Sequence, residues 1–103
     1  MKNVFDQMPE SSAHEIFTEL LAAKDVRIER IVSFGLASSE GFWYDQPEHE
    51  WVLLMEGSAQ LRFDDRLVNL VAGDYVNILA GTRHRVEKTA ANGRTVWLAI
   101  FYK

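Results

Sequence analysis

Hydrophobic and polar positions change rhythm once along the chain. Between residues 11 and 23, Ile16, Phe17, Leu20 and Leu21 recur at the spacing of one helix face. Ser12-Ala13-His14-Glu15 precedes them and reads as a capping box, the Ser hydroxyl accepting a free backbone N–H while the Glu reaches back. The pattern predicts a helix over 11–23 whose apolar stripe packs on a sheet. From Val26 the period becomes two. Val26-Arg27-Ile28-Glu29 and Ala59-Gln60-Leu61-Arg62-Phe63 alternate apolar with polar residues, as a strand with one buried face does. Trp51-Val52-Leu53-Leu54-Met55 is apolar throughout, which fits a strand covered on both faces. Further short strands follow over 67–71, 75–79, 84–88 and 95–102. The turns between them hold Asp64-Asp65-Arg66, Ala72-Gly73-Asp74, Ala80-Gly81-Thr82 and the hairpin dipeptide Asn92-Gly93. Short, closely spaced strands with glycine-bearing turns predict an all-β sandwich or barrel. The organisation expected is one domain: a helix-bearing segment over 1–24 and a barrel over 25–103.

Composition narrows the partners. Fifteen acidic residues against eleven basic ones give a net charge of −4. The arginines are scattered, at positions 27, 30, 62, 66, 83, 85 and 94, with no basic run. A nucleic-acid partner is therefore not expected, because its phosphates call for a concentrated basic face. The chain has no cysteine, which excludes disulfides and thiolate metal sites. Its polar start, Met1–Glu10, has no signal-peptide core. The longest apolar runs, Trp51–Met55 and Val96–Tyr102, fall short of the ~20 residues of a membrane helix. The expectation is a soluble, cytoplasmic protein without a membrane partner. A domain of this size gains from self-association, so a homodimer is also expected.

Two stretches carry a resemblance. Glu50-Trp51-Val52-Leu53-Leu54-Met55-Glu56-Gly57 is a Glu, six residues and a Gly. From Gly73 to His84 runs a Gly, a strand, a tight turn holding Gly81, then a His. Together they resemble the two motifs of the cupin superfamily, G-x5-H-x-H-x(3,4)-E-x6-G and G-x5-P-x-G-x2-H-x3-N. The resemblance spans about Ser38 to Lys88. The chain looks closest to small single-domain cupins of unassigned function (cupin 2 type), which tend to carry a segment like Trp43-Tyr44-Asp45-Gln46 before the motif Glu. It implies a jelly-roll β-barrel, the double-stranded β-helix, built around one pocket. The departures lie in the ligand set. Tyr44 and Gln46 stand where the first motif has its two histidines, Ser38 stands for its leading Gly, Leu79 for the second motif's Pro, and Lys88 for its final Asn. Of the usual three-His, one-Glu metal set, Glu50 and His84 remain.

Three readings of the site follow, and the sequence leaves all three open. In the first, Glu50, His84, Gln46 and Tyr44 hold one divalent metal (iron, manganese, nickel or zinc) beside a small polar ligand. Gln46 and Tyr44 are poor ligands when neutral, and His49 neighbours Glu50 on a strand, where adjacent side chains point to opposite faces. In the second, a metal-free isomerase or epimerase uses Glu50 and His84 as an acid–base pair with Tyr44 as a proton donor. In the third, a non-catalytic binding or sensing barrel holds its small-molecule ligand while these side chains satisfy one another. Burying Glu50 and His84 among apolar strands is costly unless they pair or do chemistry. The remaining polar and aromatic residues have structural expectations: outer-face salt bridges for Arg83 and Arg85, core or interface positions for Trp43, Trp51 and Trp97, and a solvated position for His14. No nucleotide-binding glycine loop and no nucleophile elbow is present.

Overall fold

The computed structural model describes all 103 residues, Met1–Lys103. Eight strands form it: β1 (Ile16–Ala23), β2 (Val26–Ser33), β3 (His49–Glu56), β4 (Ser58–Phe63), β5 (Leu67–Val71), β6 (Tyr75–Ile78), β7 (His84–Thr89) and β8 (Thr95–Tyr102). They make two antiparallel sheets, one in the order β1-β2-β8-β3-β6 and one in the order β5-β4-β7. This is the all-β barrel expected from the strand pattern, in the jelly-roll form that the resemblance implies. The inner faces meet in one core holding Val52, Leu54, Leu61, Leu70 and Trp97. The run Trp51–Met55 of β3 is apolar throughout in sequence, yet burial alternates along the strand: Glu50, Val52 and Leu54 are buried, while Trp51, Leu53 and Met55 between them are only partly covered, so its outer face is not closed in the way the apolar run predicts.

The helix expected over 11–23 is not formed. Ile16–Ala23 is a strand that pairs antiparallel with β2 through the two-residue turn Lys24–Asp25, where Asp25 takes φ 62°. The boundary drawn between residues 24 and 25 thus falls inside a hairpin. The misreading has a physical source. A β-bulge between Glu19 and Leu21 shifts the register, so the side chains change phase partway along the strand. That phase change gives Ile16, Phe17, Leu20 and Leu21 the spacing of a helix face. Pairing with β2 then decides between two locally permitted conformations. The Ser12 hydroxyl bonds the backbone of His14, accepting its N–H at 3.1 Å in a local turn rather than capping a helix. No helix of the chain is long and apolar enough to cross a membrane.

The turn joining β3 to β4 is fixed by a glycine. Gly57 has φ +91°, and a Cβ there would lie 2.7 Å from Thr95 Oγ1 and 2.9 Å from the Arg94 carbonyl oxygen. Only glycine meets both conditions, left-handed backbone and close approach. On the outer face of β2, buried Arg30 donates to the carbonyls of Val4 and Asp6, at 2.9 and 2.7 Å, and so ties the N-terminal segment to the sheet.

Candidate functional site

One end of the barrel interior is not filled. A cavity of about 70 Å³ opens there, lined by apolar side chains and by Glu15, Tyr44, Gln46, Glu50 and His84. All four site residues read from the sequence therefore reach one cavity. Glu50 arrives on β3, two residues before core Val52 and on the same face. His84 opens β7 and sits opposite Phe63 of β4. Tyr44 comes from the long connection before β3 and is pinned to His84 by two backbone bonds: Tyr44 N–H to the His84 carbonyl at 2.7 Å and His84 N–H to the Tyr44 carbonyl at 3.1 Å. Their rings stack at 5.3 Å between centroids. The Gln46 carbonyl accepts the Gly81 N–H at 3.0 Å, so the loop bearing Tyr44 and Gln46 is held to the turn that leads into His84.

The polar contacts inside are few and specific. Gln46 Nε2 donates to Glu50 Oε1 at 3.0 Å. His84 Nε2 stands 3.6 Å from that same oxygen, a charge contact rather than a hydrogen bond. His84 Nδ1 donates to the Thr82 carbonyl at 3.0 Å, which fixes the ring and leaves Nε2 for the cavity. The side-chain atoms sealed off without a partner are Arg30 Nε, Ser33 Oγ and Arg85 Nε. Glu50 Oε2 and His84 Nε2 are not among them, and neither makes a hydrogen bond, so both open onto the cavity. Burial of the His84 ring lowers its pKa, but the Glu50 carboxylate and the Thr82 carbonyl raise it further, and the net shift is upward. Tyr44 is pushed up to about 12 by burial and by the nearby charges of Glu15 and Glu50, so its hydroxyl stays protonated.

Other sequence expectations resolve alongside. His49 begins β3 and faces outward, its Nδ1 accepting the Ala80 N–H at 2.9 Å and its ring against Tyr102. Arg83 meets Asp64 at 3.6 Å and lies over the Trp43 ring, and Arg85 meets Glu87 at 3.4 Å. Trp97 is a buried wall of the cavity. Glu15 is the residue missed. The expected helix cap assigned it to a terminus, yet it lines the cavity with Phe17. Glu15 and Phe17 are two apart, so they share one face of an extended segment, and that spacing was visible in the sequence.

No protein-family model matches the chain, and no curated protein matches it. Solved structures do. A candidate mannose-6-phosphate isomerase of Ralstonia eutropha JMP134 is 41% identical, with a TM-score of 0.95, and the match covers 100% of this chain and 97% of that one. A cupin superfamily protein of Desulfitobacterium hafniense DCB-2 is 20% identical over 92% of this chain and 83% of its own, with a TM-score of 0.77. A cupin-2 domain protein of Shewanella frigidimarina NCIMB 400 is 21% identical over 85% and 80%, with a TM-score of 0.66. The chain has the cupin fold. The two more distant structures carry the fold alone, while the first matches over the full length.

In this cupin-fold chain, the residues at the metal positions form a sparse donor set. No three His, Cys, Asp or Glu side chains converge anywhere in the chain. At the cavity, Glu50 and His84 are already turned to one another, and Gln46 presents its N–H donor, not its carbonyl oxygen, to the carboxylate. A first-row divalent ion asks for three or four lone-pair donors aimed at one point. The donor set of this cavity does not fit a tightly held divalent ion.

Proposed function

We propose that this cupin binds a small molecule in the cavity and that Glu50 and His84 act on it as a general base and a general acid without a metal. The observation that carries the reading is the Gln46–Glu50–His84 constellation. Glu50 and His84 are buried in a mostly apolar cavity, each leaving one atom free toward the space a ligand would occupy. A non-catalytic wall has no need of a carboxylate and an imidazole held with free atoms on the same side.

The chemistry is a proton relocation. Glu50 takes a proton from a carbon beside a carbonyl. Protonated His84 gives its Nε2 proton to the carbonyl oxygen, forming an enol. Glu50 then gives its proton to the former carbonyl carbon while His84 takes the proton of a hydroxyl on the neighbouring carbon, which moves the carbonyl by one carbon and restores both side chains. The balance closes with no oxidant or reductant. Gln46 holds one Glu50 oxygen and leaves the other for the abstraction, and the protonated Tyr44 hydroxyl supplies a second donor. The similarity to a candidate mannose-6-phosphate isomerase supports the isomerase part of this reading. The phosphate part finds no support, because no Lys or Arg lines the cavity.

The test is solvent deuterium wash-in. Metal-stripped protein in D2O with chelator is mixed with a panel of small hydroxy- and amino-carbonyl compounds and followed by proton NMR. The expected result is exchange at the carbon beside the carbonyl that is lost in Glu50→Gln and in His84→Gln. Exchange that appears only on adding a divalent metal would overturn the metal-free reading.

A further inference from the structure

The cavity holds one charge that the acid–base pair leaves unexplained. Glu15 lines the wall beside Phe17, and its carboxylate has neither a hydrogen bond nor an ion pair within the protein. Glu50 and His84 neutralise one another, so Glu15 is the uncompensated charge of the cavity. Glu15 is half-buried on the cavity wall, and its carboxylate has no partner in the protein, which leaves it free to meet a cation that enters there. Burial accordingly raises the Glu15 pKa.

The nearby cations are committed elsewhere. Arg27 stacks over Phe101 at 4.0 Å, but its guanidinium is bonded to Glu48 at 2.6 Å and to Glu29 at 3.2 Å. That corner of the inner face therefore carries a net negative charge. Arg30 lies on the opposite face of β2, occupied by the N-terminal carbonyls. An anionic ligand would meet two carboxylates and find no free guanidinium or ammonium. The walls around Glu15 are aromatic, with Phe17, Trp97 and Tyr44 on the cavity, and aromatic faces favour a cation. His84, 4% exposed with its Nε2 turned into the same space, is an independent mark that this cavity is built for a ligand and not merely underpacked.

We infer that the ligand is a small aliphatic amine whose ammonium group is met by Glu15 while its reacting end lies at Glu50 and His84. The inference rests on the reading of the cavity as an acid–base site and names what enters it. The space bounds the ligand's size: about 70 Å³ holds roughly five to seven waters, so the ligand is short.

The experiment is an NMR titration of the full chain with four probes: n-propylamine, n-propanol, propionate and mannose 6-phosphate. The readouts are the Trp97 indole and Ile31 methyl resonances, both on the cavity wall. Propylamine is expected to bind more tightly than propanol, and its affinity is expected to fall about tenfold in Glu15→Gln while propanol affinity stays unchanged. Unchanged propanol affinity also shows that the variant is folded with its cavity intact. Propionate and mannose 6-phosphate are expected to leave the wall resonances unmoved. Amine affinity within about twofold of wild type in Glu15→Gln would overturn the inference. So would propionate binding as tightly as propylamine. If propanol still binds in either case, the cavity stands as a site and only the charge preference falls. If no probe moves Trp97 or Ile31, the cavity reading falls and this inference with it.

Discussion

Glu50 and Leu54 stand on the same inward face of one strand, four residues apart, and meet opposite conditions. Around Leu54 the barrel is closed: the side chain is fully buried, as are Val96, Leu70 and Thr95. Around Glu50 the same two sheets leave a cavity edged with carboxylates, an imidazole and an amide. The closed end uses β-branched and aliphatic side chains that fill space, and Gly57 lets the backbone turn tightly against Thr95. The open end uses polar groups held by short contacts to a loop, Tyr44 to His84 and Gln46 to Gly81, that the barrel does not need for closure. On the proposed reading one strand carries both jobs, and the fold separates stability from chemistry along its length. The same contrast is expected between substitutions at the two ends.

The largest difference is expected in function. Glu50→Gln keeps size and hydrogen bonding at the open end but removes the base, so deuterium wash-in should fall by about 10²–10⁴-fold with thermal stability little changed. At the closed end, Leu54→Ala should destabilise by about 2–5 kcal/mol, read by urea unfolding, while propanol binding in the cavity persists in the folded fraction. Gly57→Ala should cost about 1–3 kcal/mol from its left-handed backbone alone, with the overlap on Thr95 adding to it. Loss of wash-in in Leu54→Ala at a temperature where it is fully folded would break the separation.

Glu15→Gln should run the other way. The folded Glu15 carboxyl is raised above its ordinary value of 4.5 by burial. A raised group contributes stability below the unfolded pKa and loses it as pH rises through the folded pKa. At pH 7 the ionised Glu15 therefore weakens the fold. Replacing it with Gln should raise the Tm by roughly 2–4 °C, and the gain should vanish below pH 4. A gain that persists at low pH would point to packing instead of charge.

Much of the fold was legible because burial and sequence share one period. Strands such as Val26–Glu29 and Ala59–Phe63 show the alternation that a two-sheet barrel imposes, the apolar runs Trp51–Met55 and Val96–Tyr102 mark its central strands, and the glycines mark the turns. The first strand was not legible, because a bulge at Leu20 breaks the period and leaves helix-like spacing over Ile16–Leu21. Glu50 and His84 could be placed together because two motifs fix their strands. Tyr44 and Gln46 followed from their spacing to Glu50. Glu15 was missed because the helix reading hid its two-residue spacing to Phe17, and which face that spacing presents to the cavity depends on β1 pairing with β2. The contrast between the metal positions and the side chains occupying them was visible early. What it meant required the orientation of the Gln46 amide, which only the hydrogen bond to Glu50 supplies.

The central claim is that Glu50 and His84 form one proton-handling pair, and an NMR titration of the His84 ring in wild type and in Glu50→Gln tests it most directly. The account predicts a wild-type midpoint above the ordinary 6.5, because the Glu50 carboxylate outweighs burial together with the Thr82 carbonyl. By the same linkage, the stability His84 contributes is present below pH 6.5 and is lost as pH rises through that midpoint. In Glu50→Gln the midpoint should move down, since burial then acts without the opposing charge. A His84 midpoint that is the same in both proteins would contradict the account, because the two groups would then be neighbours whose charges do not act on one another.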